Sequence, residues 1–160
     1  MYEAKIVPFI IKELENAFLS LSQNPPKTSR EAAQRIADGY ARYAKPATGV
    51  GAPAAFTGSE ATRMANAMAR SFQPLGNAGL SSAGMANGIL AFWLSPPIAF
   101  GPNITVAWPG FGVMISCLSS LKSTKVSEAQ AARKLARCLD AATRLVLVQP
   151  AVPGPPVPIA

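Results

Sequence analysis

The chain contains no histidine. That removes the commonest general base, the commonest metal ligand and every nucleophile that depends on an imidazole partner, so hydrolysis of the serine, cysteine or metal kind is not expected. Cysteine is nearly as scarce: Cys117 and Cys138 are the only two, and their separation matches no metal-ligand or redox spacing. They read as two small buried hydrophobes in a reducing compartment, with a disulfide as the alternative. Acidic residues number only eight. Asp38 has Arg35 and Arg42 as helix-spaced neighbours, and Asp140 has Arg137 and Arg144, so both read as members of ion pairs and not of a paired-acid site. No catalytic residue, cofactor or metal is expected.

A further shortage is of charge along one stretch. From Ser71 to Leu121 no side chain is charged, whereas an ordinary soluble domain carries roughly one charged residue in four. Lipid, the protein's own core and another protein are the three solvents such a window could face. A membrane span needs about 20 consecutive apolar residues, and the apolar run around Ile89 is broken at Pro96-Pro97, the next at Pro109-Gly110. A spanning helix is therefore not expected, and a membrane-active hairpin of two half-spans is kept as an alternative. A core helix explains Ile89 to Leu94, but not why the connecting Gly, Ser, Asn and Pro segments also avoid charge, since loops usually lie on a wet surface. Surface covered by a partner explains both, because interface centres are poor in charge and rich in aromatics. The interface candidates are Phe92, Trp93, Phe100, Trp108 and Phe111, joined by Leu145, Val146, Leu147, Val148, Val152 and Val157 from the C-terminal segment.

The charge that is present is mostly positive, a formal net of +7 with a sequence pI near 9.9. The basic residues are scattered along alanine-rich helical stretches with no dense block and no interleaved aromatics. They read as solvated helix faces, which leaves any nucleic-acid contact non-specific.

Hydrophobic periodicity marks the helices. Ile6, Phe9, Ile10, Leu14, Phe18 and Leu21 form one stripe ended by Pro25-Pro26, with Pro8 in the first turns. A second helix opens at Thr28 or Ser29 with Glu31 in its first turn and ends before Pro46. A third starts near Thr57 or Ser59 and runs towards Pro74, and a last one is opened by Ser127 and Glu128. It leads into Arg144-Leu145-Val146-Leu147-Val148, a short strand or extended arm. The tail from Gln149 to Ala160 carries five prolines and reads as either disordered or an extended polyproline-like arm, which in an assembly would lie in a neighbour's groove. One pattern recurs, small residues bracketing a large apolar one, at Ala33–Ala37, Ala61–Ala65 and Ala132–Ala136. Its copies start 28 and then 71 residues apart, which gives no support to a repeat architecture.

The expected fold is mainly α: one domain over residues 1–148, a bundle of about four to five helices with a short C-terminal strand, then a Pro-rich arm over 149–160. The order of the segments AAQRIADGYARYA, ILAFWLSPPIAFGP and SEAQAARKLARCLDAATRLVLVQPAVPGPPVPIA, which spans most of the chain, resembles that of small virion proteins encoded among the structural genes of tailed bacteriophages and prophages. The resemblance implies a non-enzymatic building block of the neck, tail or baseplate, made in the host cytoplasm and assembled into the virion in several copies. Its partners would be copies of itself and neighbouring virion proteins. A basic DNA-contacting accessory protein is the other alternative beside the membrane hairpin.

Overall fold

The computed structural model describes residues 9–71, 82–120 and 126–160. Six helices and six short strands alternate in pairs along these residues. Two helices, α1 (Ile11–Gln23) and α2 (Ser29–Ala44), lead into a hairpin of β1 (Thr48–Gly49) and β2 (Ala52–Pro53). The same order follows with α3 (Glu60–Ser71), α4 (Ser82–Leu94), β3 (Ala99–Phe100) and β4 (Asn103–Ala107). It comes a third time with α5 (Phe111–Ser120), α6 (Glu128–Thr143), β5 (Leu147–Gln149) and β6 (Val157–Pro158). The bundle is thus six-helical, and the single expected strand is one of six. Ile6 and Pro8 of the first stripe lie outside the described residues, and Ile10 is exposed because α1 begins one residue later.

The three units repeat with a period near 50 residues, and side-chain volume repeats with them. Leu14, Met64 and Met114 stand 50 residues apart on the first helix of each unit, and all are fully buried. Phe18, Met68 and Leu118 follow one turn later. On the second helices Ile36, Met85 and Leu135 correspond, as do Ala37, Ala86 and Ala136, and Tyr40, Ile89 and Leu139. Backbone bonds repeat too: Ala54 N–H donates to Ala47 O, Thr105 N–H to Ile98 O and Ile159 N–H to Val146 O, each at 3.0 Å. The alanine-bracketed pattern hides this repeat. Its copies on α2 and α6 are equivalent, while the copy at Ala61–Ala65 lies on α3, a first helix, so its irregular spacing joins two different positions of the unit.

Helix packing closes a ring. Each helix packs on the next in sequence, and α6 packs back on α1. Small residues allow the close approach within each hairpin: a Cβ added to Gly39 would collide with Ala17 Cβ, and one added to Gly88 would stand 2.6 Å from Met68 Cγ. In the third unit Cys117 and Cys138 stand where the first has Ala17 and Gly39, and they are joined by a disulfide with Cα atoms 5.7 Å apart. The reading of two reduced hydrophobes is corrected here: two helices packed this closely bring the positions within bridging distance. A persistent disulfide belongs to oxidising surroundings. It shortens the unfolded chain's freedom by a loop of 21 residues, worth about 3 kcal/mol. Because the other two hairpins pack without a cross-link, reduction should leave the fold intact at room temperature and lower the melting temperature by about 6–12 °C. Thermal melts with and without dithiothreitol, alongside thiol counting, check this; a reduced chain that is unfolded at 25 °C would show that the third hairpin depends on its bridge.

The strands close a second ring. The order β3-β4-β5-β6 is one antiparallel sheet and β1-β2 another. At one margin Ala54 bridges Phe100, with Ala55 N–H donating to Ala99 O at 2.8 Å. At the other, Thr48 and Ala160 exchange both backbone bonds, at 2.8 and 2.9 Å. The result is a miniature six-stranded antiparallel barrel with its strands in sequence order and no free edge along these pairings. Its lumen is filled by Phe100, Val148 and Ile159, with Gly49 leaving the room that Phe100 occupies. The Pro-rich arm is corrected accordingly. Its last residues are a barrel strand of the same chain, because β5 and β1 offer backbone groups that only β6 and Ala160 satisfy.

Candidate interaction surface

At the centre, where the second helices meet, a polar chain links the three units. Trp93 Nε1–H on α4 donates to Tyr40 Oη on α2 at 2.8 Å, and Tyr40 Oη lies 2.6 Å from Thr143 Oγ1 on α6. Beside it Tyr43 donates to Asp140 Oδ1 at 2.7 Å, and Arg144 Nε donates to Asp140 Oδ2 at 3.0 Å while its guanidinium lies over Phe9. Burial pushes both phenols up, Tyr43 further still through Tyr40 and the Asp140 carboxylate. Every polar atom named is paired and the groups are packed without exposure at Tyr40, Trp93 and Thr143, so the network fixes how the units sit together.

The sign of its pH dependence follows. An unfolded tyrosine ionises near pH 10, and the folded Tyr40 and Tyr43 resist ionisation well beyond that. Their contribution is fully present below pH about 10 and is lost as pH rises further, since the unfolded chain gives up protons that the folded one keeps. The urea midpoint should therefore fall between pH about 9 and 11, and less steeply in a Tyr40→Phe, Tyr43→Phe double variant.

The ion pairs differ in part from the helix-spaced ones expected. Asp140 does pair with Arg144, but Asp38 accepts from Gln34, Arg35 pairs with Glu31 and Arg42 reaches Glu13 on the neighbouring helix. Glu31 is held below the usual carboxylate range, chiefly by the Lys27 backbone N–H. Burial works to raise Glu60, but the N–H groups of Thr57 and Gly58 and the Thr57 hydroxyl, all aimed at its carboxylate at the start of α3, bring it below its ordinary value. Both carboxylates serve helix starts. Among the described residues no three His, Cys, Asp or Glu side chains gather where a metal could bind.

The expected interface aromatics are largely internal. Phe92, Trp93, Phe100, Val146 and Val148 are buried in the chain's own core, and Trp108 donates its indole N–H to Ala142 O at 2.8 Å. Leu145, Leu147 and Val157 are half-buried. Phe9, Phe56 and Trp108 each precede a first helix and pack at equivalent points on the second: Phe9 stacks on Tyr43 at 4.9 Å, Phe56 tilts on Phe92 at 5.7 Å, and Trp108 bonds at Ala142. The aromatics of the charge-free window thus fill inter-helix space that the repeat creates. Of the candidates, Phe111 and Val152 remain exposed, at 36% and 75%.

What stays open to a partner is the far end of the barrel. No charged side chain occurs in residues 46–59, 95–110 or 145–160, which are the three β-hairpins and their flanks. Among the described residues every charged side chain lies on a helix, between α1 and α2 as Lys27 does, or at a helix C-cap as Lys45 and Arg144 do. Alternating strand directions put the three hairpin tips at one end, away from the helical layer. The tips are Val50-Gly51, Gly101-Pro102 and the loop from Pro150 to Pro156. The last is tied to the second tip, since Ala151 N–H donates to Asn103 Oδ1 at 2.9 Å, and it is held from within by Gln149 Nε2 donating to Gly154 O at 2.9 Å. Val50, Ile104 and Val152, one from each hairpin, are among the most exposed large apolar residues. Val50 also has φ +51°. A two-residue hairpin turn of this kind favours asparagine before glycine, and a β-branched residue held there carries strain of about 1–3 kcal/mol.

No protein-family model, curated protein or solved structure matches the chain. Among the described residues no helix is long and apolar enough to cross a membrane; the two apolar runs of the half-span alternative are α4, of 13 residues, and α5, of 10, with the β3–β4 hairpin between them.

Proposed function

We propose that the chain is a non-enzymatic structural subunit of a tailed-phage particle, placed in the neck, tail or baseplate, that acts by association with copies of itself and with neighbouring virion proteins. The observation that carries this reading is the partition of the molecule: a charged helical layer beneath a barrel whose strands and tips bear no charged side chain and expose valine and isoleucine. Surfaces of that composition are covered in the working state of a protein, because exposed apolar area costs about 25 cal/mol per Å² that association recovers. A closed barrel and a rigid, fully paired centre suit a building block, which must keep its shape while its surface is engaged. The disulfide fits a particle released into oxidising surroundings. The helical layer, which carries the positive charge, would meet nucleic acid only through phosphates, without sequence preference and with strong salt dependence.

Mass spectrometry of purified particles tests the reading. Multiple copies of the chain per particle are expected, and particles lacking it altogether would remove the virion assignment.

A further inference from the structure

We infer that the Cys117–Cys138 bridge is a redox-operated lock on α5: reduction opens this one helix while the other helices and the barrel stay folded, and oxidation closes it. Nothing in this depends on the virion reading. Three observations point there together.

The first lies in the repeat. Counted along the three units, Ala17, Ala67 and Cys117 correspond, and so do Gly39, Gly88 and Cys138. Two hairpins thus carry alanine with glycine where the third carries two cysteines, and only the third is cross-linked. The second is that α5 is poorly equipped to hold itself. Its ten residues are fewer than the roughly 12–15 below which even an alanine-rich helix is marginal on its own. They include Gly112, the β-branched Val113 and Ile115, and three serines, all weak helix formers. With no charged residue, α5 has no ion pair along its length and no end charge to meet the helix dipole. The third is how little else ties it down. On α1, Glu13 pairs with Arg42 of α2 and Ser22 bonds to Glu128 of α6. Among the described residues, the one side-chain hydrogen bond of α5 runs from Ser120 Oγ to Cys117 O inside the helix itself. Its buried side chains are Met114 and Leu118. Cys117 lies one turn beyond the first and next to the second, so the bridge is what fixes this face to α6.

A dithiol reductant opens the lock by exchange. Its thiolate attacks Cys117 Sγ, the half-buried sulfur of the pair; the sulfur–sulfur bond breaks, and Cys138, 2% exposed, leaves as a thiolate that takes up a proton. The reductant's second thiolate then displaces Cys117 from the mixed disulfide. Cys117 takes up the second proton, and the reductant departs as its own disulfide, having given up two electrons. α5 is therefore loose in a reducing compartment and fixed in an oxidising one.

Hydrogen–deuterium exchange on the full chain at 25 °C, oxidised and then with dithiothreitol, tests this. The amides from Met114 to Ser120 are expected to exchange faster by about tenfold or more after reduction, while those of α2 and α4 keep their protection. A Cys117→Ala, Cys138→Ala double variant should show the fast exchange with or without dithiothreitol. Gly112→Ala, where an added Cβ meets nothing within 4 Å, should slow the exchange of α5 in the reduced chain by about two- to fivefold. A bridge that merely stabilised the whole fold would not give that rescue. Unchanged protection of α5 on reduction, an equal loss across all helices, or free thiols in the air-equilibrated chain would each overturn the inference. So would a dithiothreitol response in the double variant, or no effect of Gly112→Ala on the reduced chain. Particles that lack the chain would remove the virion reading and leave this one standing.

Discussion

Replacing Trp93 with alanine is expected to lower the free energy of unfolding by about 3–5 kcal/mol, the range for truncating a large buried aromatic. Trp93 is fully buried. It touches Phe56 and Phe92 at ring separations of 5.9 and 5.2 Å, stacks on Phe100 at 6.3 Å, and donates to Tyr40. Its loss empties the point where α4 meets α2 and the barrel floor, and it removes the donor from a buried hydroxyl. The surroundings have little room to collapse, since Thr105 Oγ1 is anchored to Trp93 O at 2.7 Å and also accepts Ile98 N–H. For a chain of this size the corresponding fall in melting temperature is about 6–20 °C. Trp93→Phe, which keeps most of the volume and gives up the hydrogen bond, should cost about 1–2 kcal/mol. Urea unfolding followed by circular dichroism separates the two; equal losses would mean that the lost hydrogen bond, and not the cavity, accounts for most of the destabilisation.

Deletion of Val157–Ala160 is expected to be as damaging. These four residues supply β6, the buried Ile159 and both backbone bonds that join Ala160 to Thr48. Without them β5 and β1 each present unpaired backbone groups, and the lumen beside Phe100 and Val148 opens to water. Loss of the Ile159 side chain alone is worth about 2–5 kcal/mol, and an exposed strand edge invites aggregation. The sequence supports the opposite expectation, that the tail from Gln149 is an arm whose removal leaves helical content unchanged. The structure predicts that the truncated chain loses helical signal at lower temperature than the full one, because the barrel ties together the C-terminal ends of α2, α4 and α6. Full retention of stability after the deletion would return the tail to the role of a free arm.

The helices are legible because each carries its own signals. Thr28 caps α2 by accepting Glu31 N–H, and Ser127 and Gln130 form a reciprocal box at the start of α6. These interactions join residues three apart, so a linear reading reaches them. Strands of two residues are too short to display an alternation, which is why β1, β2, β3 and β6 leave no trace, while β5, flanked by branched side chains, does. α5 is hidden for a different reason: Pro109-Gly110 looks like a break in one segment when it is the boundary before a helix. The repeat escapes a linear reading because it preserves volume and not identity. Leu14, Met64 and Met114 fill one kind of space, and Gly39, Gly88 and Cys138 allow one kind of approach, with few letters in common.

The sequence by itself determined the helical character of most of the chain, the caps, the absence of histidine chemistry and the placement of charge, all of which depend on residue type or on neighbours within a turn. Only the tertiary structure decided which charge-free residues are core and which are surface. Trp93 and Phe100 are enclosed by segments far away in the chain, and Val50 and Val152 are not. The pairing of Cys117 with Cys138 and the closing of the barrel by Thr48 and Ala160 belong to the same class. Each joins residues that no local preference brings together, and each is fixed by the packing of three similar units around a common centre.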